Sequence, residues 1–424
     1  MIERFDWTAA GSAERRAILA RPRGREDEAL LETVRIIVDD VRTRGWDALV
    51  EKAVRIDGHP PCCVAVEPFA EQARRLLPPA ALAALELARA NIEAFHRATA
   101  PQDVAVQTMP GLSVAKQWRP LGSAGLYVPG GKAPLFSTLL MLAIPASVAG
   151  VQTLTVVTPP RADGGLDPAV ALAAEMCGIA QIWTVGGAQA IAALAFGAGD
   201  IPPVDRICGP GNVWVAAAKA LVAAMPQGPG IDLPAGPSEL MVIGDWSADP
   251  AVVAADLLSQ AEHDPDAQVL LVTPDAGLID AVEREFDRQG AAMGGSFAPA
   301  RAILCADLRQ AVAIANAYAP EHLSLATDEA DALVADVANA GAVFVGHRAA
   351  ETFGDYLVGS SHVLPTDGAA RFTGGVSTLT FMKAITVQHA TRETAAALAA
   401  PAAALARLEG LEAHARAAEA RSAA

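Results

Sequence analysis

From about residue 136 to residue 345 the chain alternates stretches of helical periodicity with short apolar runs, and this pattern limits the fold more than any other feature. Residues 136–149 read as an apolar helix, and Thr-Leu-Thr-Val-Val-Thr at 153–158 reads as a buried strand closed by Pro159. A helix at 168–176, a strand at 181–185 ending in Gly186-Gly187, and a helix at 188–196 continue the series. Strands and helices at this interval predict a mainly parallel sheet with helices on both faces. The unit recurs: a helix at 251–260 followed by Gln-Val-Leu-Leu-Val-Thr-Pro at 268–274 echoes the helix and strand ending at Pro159. A repeat of this kind predicts two related α/β domains rather than one large sheet. Helices at 278–289 and 308–317 and strands at 301–304 and 342–345 complete the second copy.

The flanks read differently. Residues 1–25 are polar and arginine-rich, like an arm, and 27–55 carry helical spacing broken near Gly45. A helix is expected at 79–97, with proline at its start where it is tolerated, then short strands at 113–117 and 125–128. The alanine-rich stretch 391–420, with Leu398, Leu405, Leu408 and Leu411, predicts a helix whose narrow apolar stripe suits packing on another subunit. At 424 residues the chain exceeds one typical core. A net charge of −16 disfavours nucleic-acid partners and anionic membrane surfaces. The cysteines (62, 63, 177, 208 and 305) have neither disulfide-framework nor zinc-thiolate spacing, so a reducing, cytoplasmic setting is expected. The first residues lack the pattern of a signal peptide. The longest apolar stretch, 139–151, holds Pro145 and is too short to span a bilayer.

Several groups of residues could carry chemistry. Glycine-rich turns at 122–131, 186–187 and 209–212 would let backbone approach a ligand or present helix-start N–H groups to an anion. Ordinary tight turns are the other reading, since the G-x-G-x-x-G fingerprint is missing. Gln260 and His263 share one helical face, which supplies half a metal site or else a helix cap. Pro320-Glu321-His322 sets a carboxylate beside an imidazole, suited to proton transfer if it is not a surface turn. Asp355 and His362 lie in a further glycine-containing segment, and Glu409 and His414 lie on the tail. Gln260, His263, Asp355 and His414 would together form a mixed N/O ligand set suited to zinc. His59, His96, His347 and His389 read as structural.

Several blocks in fixed order carry a resemblance. They are Gly125-Leu-Tyr-Val-Pro-Gly-Gly131, Val185-Gly-Gly-Ala-Gln-Ala190, Gly209-Pro-Gly-Asn212, Pro234-Ala-Gly-Pro-Ser-Glu239, Asp256-Leu-Leu-Ser-Gln-Ala-Glu-His263, Pro320-Glu-His-Leu323, Gly354-Asp-Tyr356 and His362-Val-Leu-Pro-Thr366. Over nearly its whole length the chain resembles the histidinol dehydrogenase family. The resemblance implies zinc-dependent, NAD-linked, four-electron oxidation of L-histidinol to L-histidine through L-histidinal. It implies zinc held by Gln260, His263, Asp355 and His414, with His322 as general base and Glu321 activating water. Tyr127, Gln189 and Asn212 would contact NAD. Ser238, His362 and Glu409 would contact substrate, together with Gln260, His263, His322, Asp355 and His414. The family's fold implies two Rossmann-like α/β domains: a discontinuous one at 26–126 and 235–375 carrying metal and catalytic residues, and an NAD-binding one at 127–234. An N-terminal helical arm at 1–25 and a C-terminal dimerisation tail at 376–424 complete it, and His414 would complete the partner subunit's site in a homodimer. The sequence departs from the family at Ser361, where Asn is frequent, and at Cys208, where other apolar residues are common. A related dehydrogenase acting on another small polar alcohol, or a non-catalytic nucleotide- or metal-binding regulator, are the alternatives.

Overall fold

The computed structural model describes residues 2–21, 28–130, 135–233 and 236–422. Residues 22–25 of the expected arm, Gly131 of the first glycine-rich turn, and Pro234 and Ala235 lie outside the described residues. In chain order the strands are β1 (Ile2–Asp6), β2 (Cys62–Ala65), β3 (Val104–Met109), β4 (Leu112–Pro120), β5 (Ser123–Tyr127), β6 (Thr153–Thr158), β7 (Gln181–Thr184) and β8 (Arg206–Cys208). They continue with β9 (Gly230–Ile231), β10 (Glu239–Gly244), β11 (Gln268–Thr273), β12 (Ala300–Leu304), β13 (His322–Ala326), β14 (Ala342–Val345) and β15 (Met382–Ala390).

Among the described residues these form two six-stranded sheets and one three-stranded sheet. The first sheet runs β1-β12-β11-β10-β13-β14, and all of its pairings are parallel. The second runs β2-β7-β6-β5-β8-β9 and is parallel except for β2 against β7. Numbered from β10 and from β5, both read third-second-first-fourth-fifth, the doubly wound order, with one extra strand beside the third. The repeat expected from the sequence is therefore a repeat of topology.

Strands β10 and β11 are buried at every position, as a sheet covered on both faces requires. Alternate residues feed different cores. Leu240, Val242, Val269 and Leu271 pack with Val253, Leu257 and Phe286, while Met241, Ile243, Leu270 and Val272 pack with Ile314, Ala315 and Tyr318.

Strand pairing corrects the expected boundaries. Residues 2–6 are not an arm: they pair with β12 as an edge strand, and Ile2 and Trp7 are buried. Cys62–Ala65 and Ser123–Tyr127 enter the second sheet, not the first. Helices Glu28–Arg44 and Trp46–Ile56 follow them, with Val38, Val41 and Leu49 in one core with Ile191 and Leu194. Their apolar stripes were legible, but the sheet they cover was not, because nearness in sequence does not choose the sheet.

The chain divides into two compact units. Both six-stranded sheets belong to the larger, residues 1–99 and 122–381; the smaller comprises 100–121 and 382–424. Within the smaller unit β15, β4 and β3 form an antiparallel sheet. Its tail is not the single helix expected. Helix Arg392–Leu408 ends at Gly410, where φ is 76°, and helix Glu412–Glu419 follows. Gly410 N–H donates to the Arg407 carbonyl (3.0 Å) and Leu411 N–H to that of Ala406 (2.8 Å), the paired bonds of a left-handed glycine cap.

Candidate active site

His322 opens β13 and Glu321 directly precedes it, both buried in the larger unit. The surface-turn reading of Pro320-Glu321-His322 is thus corrected. The sequence offered a signal that was missed: His-Leu-Ser-Leu-Ala is short and apolar, like Glu-Leu-Met-Val-Ile-Gly at 239–244, and central parallel strands look this way. Tight backbone packing fixes the start of β13. Ala342 N–H donates to the Glu321 carbonyl (2.9 Å), and a Cβ on Gly341 would stand 2.5 Å from that oxygen.

His322 is surrounded by acids. Nδ1 lies 3.1 Å from the main-chain oxygen of Glu239, 3.6 Å from Glu321 Oε2 and 3.8 Å from Glu351 Oε1. Nε2 lies 3.6 Å from Asp355 Oδ1 and has no hydrogen-bond partner. Phe344 stacks on the ring at 5.9 Å between centroids, which limits its tilt. Burial pushes the carboxyls of Glu321 and Glu351 up to about 8 each. Burial acts to lower His322, but Glu321, Glu351 and Asp355 outweigh it and raise the imidazole to about 10. Burial would raise Asp355, yet His322, His362 and His263 hold its carboxyl below the ordinary range.

A cavity of about 170 Å³ adjoins this group, and Ser238, His263, Glu321, His322, Asp355 and His362 all line it. His362 is fixed at both nitrogens: Nδ1 is 2.8 Å from the Asp355 carbonyl oxygen and Nε2 is 3.2 Å from Thr138 Oγ1. Ser361, which stands where Asn is frequent in the family, is buried and accepts from Val363 N–H at 3.1 Å, so its hydroxyl holds the loop.

Of the four expected metal ligands, three are in the larger unit. Gln260 and His263 stand at the C-terminal end of helix Pro250–Ala261, with Gln260 Nε2 3.0 Å from His263 Nδ1. Gln260 is fully buried, and its Oε1 has no partner. An orphaned buried carbonyl oxygen beside an imidazole, with the Asp355 carboxylate under that imidazole's influence, fits a borderline cation of the zinc type. A different trio also gathers possible ligand atoms: those of His322, Glu351 and Asp355 lie within 4.8 Å of one another. Glu409 and His414 belong to the smaller unit, Glu409 capping one tail helix and His414 exposed on the next.

The expected NAD contacts lie at the C-terminal edge of the second sheet. Tyr127 ends β5 and its hydroxyl accepts from Gly187 N–H at 3.2 Å, while burial pushes the phenol up to about 12. Gln189, fully buried, donates to Asp57 Oδ2 at 3.1 Å, and its Oε1 has no partner. Asp57 also accepts from Gly186 N–H at 3.1 Å. Asn212 caps helix Val213–Ala224 by accepting from Trp214 and Val215 N–H, which commits its Oδ1 and leaves only the NH₂ for a ligand. Gly209 sits at φ 127°, where a Cβ would overlap the Tyr127 carbonyl. Its N–H donates to Asp232 (2.6 Å) and its oxygen accepts from the buried Lys219 (2.8 Å), which is itself paired with Asp232.

The family model for histidinol dehydrogenase matches residues 20–422. The chain belongs to the histidinol dehydrogenase family. It is 45% identical over 425 residues to the histidinol dehydrogenase of Xanthomonas euvesicatoria pv. vesicatoria, covering 97% of each chain. It is 43% identical over 421 residues to that of Salmonella typhimurium, covering 97% of this chain and 95% of the other. The crystal structure of histidinol dehydrogenase from Elizabethkingia anophelis superimposes with a TM-score of 0.93 at 35% identity, covering 99% of this chain and 98% of that one. As a histidinol dehydrogenase family member the chain is an oxidoreductase, and its fold is that of the family. Three acids, Glu239 and Glu351 beside His322 and Asp57 beside Gln189, were missed in the sequence. Glu239 and Glu351 lie in or next to quoted blocks but were not singled out, and Asp57 lies in none.

Proposed function

We propose that this protein oxidises L-histidinol to L-histidine through L-histidinal, using NAD, in the last steps of histidine synthesis. The reading is carried by His322, an imidazole whose Nδ1 is occupied by a main-chain oxygen and whose Nε2 is unpaired beside Asp355 at the cavity.

His322 Nε2 takes the hydroxyl proton of the alcohol as hydride leaves the adjacent carbon. Glu321, brought by burial to a value suited to exchange near neutrality, takes a proton from the water that adds to the aldehyde carbon. As the water adds, His322 gives its proton to the former carbonyl oxygen, and the neutral ring then takes a hydroxyl proton from the hydrate in the second oxidation. NAD supplies the hydride acceptor for both steps, with Tyr127, Gln189 and Asn212 forming its site. Zinc held by Gln260, His263, Asp355 and His414 would fix the substrate through its amine and imidazole nitrogens. Ser238, His362 and Glu409 orient the rest of the substrate. Enclosure protects the aldehyde from solvent. A cysteine thioester has no place here: burial pushes Cys208 and Cys305 well up, and no cysteine lines the cavity.

The protein works as a cytoplasmic homodimer in which the tail of one subunit completes the site of the other. Leu405, Leu408 and Leu411 support this reading, because all three are exposed on the tail of a single chain. Among the described residues no helix is long and apolar enough to cross a membrane. NAD reduction with histidinol set against other amino alcohols and simple hydroxy alcohols tests the substrate. A preference for histidinol is expected, and equal rates with alcohols lacking the imidazole would overturn it. Mixing His263→Ala and His414→Ala chains tests the shared site. Hybrid dimers should regain activity, and none after verified subunit exchange would overturn it.

A further inference from the structure

We propose that Glu239, locked in place by Arg21, is the positioning residue that sets the geometry of both Glu321 and His322. The inference rests on reading those two as the reacting side chains. Glu239 is the first residue of β10 and is fully buried. Its main-chain N–H donates to Glu321 Oε2 at 2.8 Å, and its main-chain oxygen lies 3.1 Å from His322 Nδ1. One peptide segment therefore holds both side chains.

The Glu239 side chain anchors that segment. Arg21 Nε donates to Oε1 at 2.6 Å and Nη2 to Oε2 at 2.8 Å, and Asp367 N–H donates to Oε1 at 2.9 Å. Arg21 is fixed in turn: Nη2 also donates to the Tyr318 carbonyl at 3.0 Å, and the guanidinium lies over the Tyr318 ring at 3.8 Å. A planar fork that also stacks on an aromatic ring is a role for arginine that lysine cannot reproduce. The charge matters as well, because Glu239 sits among buried acids and an unpaired carboxylate there would be costly.

Two results follow for the reaction. A carbonyl oxygen only accepts, so Nδ1 carries the hydrogen in neutral His322, and the basic lone pair falls on Nε2, toward Asp355 and the cavity. The bond to Oε2 also fixes the Glu321 carboxylate. Arg21 thus acts on the chemistry through Glu239, 218 positions away in the chain, without lining the cavity.

The test uses the metal- and NAD-loaded enzyme with Arg21→Met and Arg21→Lys. Arg21→Met should lower kcat by roughly 100-fold, the cost of a small misplacement of reacting groups, with KM for histidinol and bound metal near wild type. Arg21→Lys should recover only part of the loss. In ¹⁵N-histidine spectra of the NAD-free protein, recorded at a pH high enough for His322 to be neutral, its ring should change from one tautomer to a mixture. If Arg21→Met does not fold, Glu239→Gln, which keeps the shape and the main chain, carries the same expectations. A folded variant with wild-type kcat and unchanged His322 signals would overturn the inference, as would a kcat loss that only tracks the folded fraction. His322→Asn, run in parallel, separates the two readings. If it is inactive while Arg21→Met is fully active, only the clamp fails; if it is fully active, the assignment of the site itself fails.

Discussion

The two six-stranded sheets share a strand order but turn opposite edges toward the chemistry. The second sheet offers its C-terminal edge: the end of β5, the turn after β7 and Gly209-Pro210 after β8. Helices starting at Gly187 and Val213 follow those strands, so the positive ends of helix dipoles lie there, with the first N–H groups held by Tyr127, Asp57 and Asn212. Such an edge suits a pyrophosphate. The first sheet offers its N-terminal edge: Ser238 before β10, His263 before β11, and Glu321-His322 at the start of β13. Helix Pro250–Ala261 ends there, and its negative end favours a cation next to Gln260 and His263. On the proposed function, one topology used from two ends would provide an anion-binding edge and a cation-binding edge. On the same reading, the general rule that doubly wound sheets work at their C-terminal edge would hold for one copy and fail for the other.

If this division holds, changes on the first sheet's edge should alter turnover and metal content and spare the KM for NAD. His322→Asn should be the largest, lowering kcat for alcohol and aldehyde oxidation by about 10³-fold or more; near-wild-type rates in both would remove His322 from the mechanism. His263→Ala should next lower metal content, by more than the ~100-fold in affinity that loss of a merely supporting residue costs, measured as metal per chain after dialysis. Glu321→Gln should slow aldehyde oxidation by roughly 100-fold and alcohol oxidation far less, and equal losses would deny its role with water. On the second sheet's edge, Tyr127→Phe removes the acceptor for Gly187 N–H. It should raise the KM for NAD by about 2- to 10-fold, the worth of one hydrogen bond, with metal content unchanged. A fall in metal content would contradict the division. The smallest effect is one of pH. His322 must be neutral to act as base, and the surrounding carboxylates raise its value, so kcat/KM should rise with pH above neutrality. Glu351→Gln removes one of those charges, lowers His322, and should move that rising limb to lower pH.

Much of this was legible in the amino-acid sequence, and the reasons are physical. Gln260 and His263 could be paired because helical spacing alone puts them on one face. Glu321 and His322 are adjacent, so any fold keeps them together. The repeat was visible because two buried strands of one architecture need similar apolar runs. Arg21, Asp57 and Glu351 were not legible as site residues, since the first two reach their partners across 218 and 129 positions and Glu351 lies in a segment without periodicity. The edge each sheet would use was also hidden. It depends on which helix ends carry polar side chains, a property of the assembled layers.

On the proposed function, one cavity carries both oxidations without releasing the aldehyde. The direct test is the number of NADH formed per histidinol consumed by the metal-reconstituted enzyme, with an aldehyde trap in solution. A ratio of about two, unchanged by the trap, is expected from the His322 and Glu321 roles. A ratio near one, or one that falls as trap is added, would contradict it.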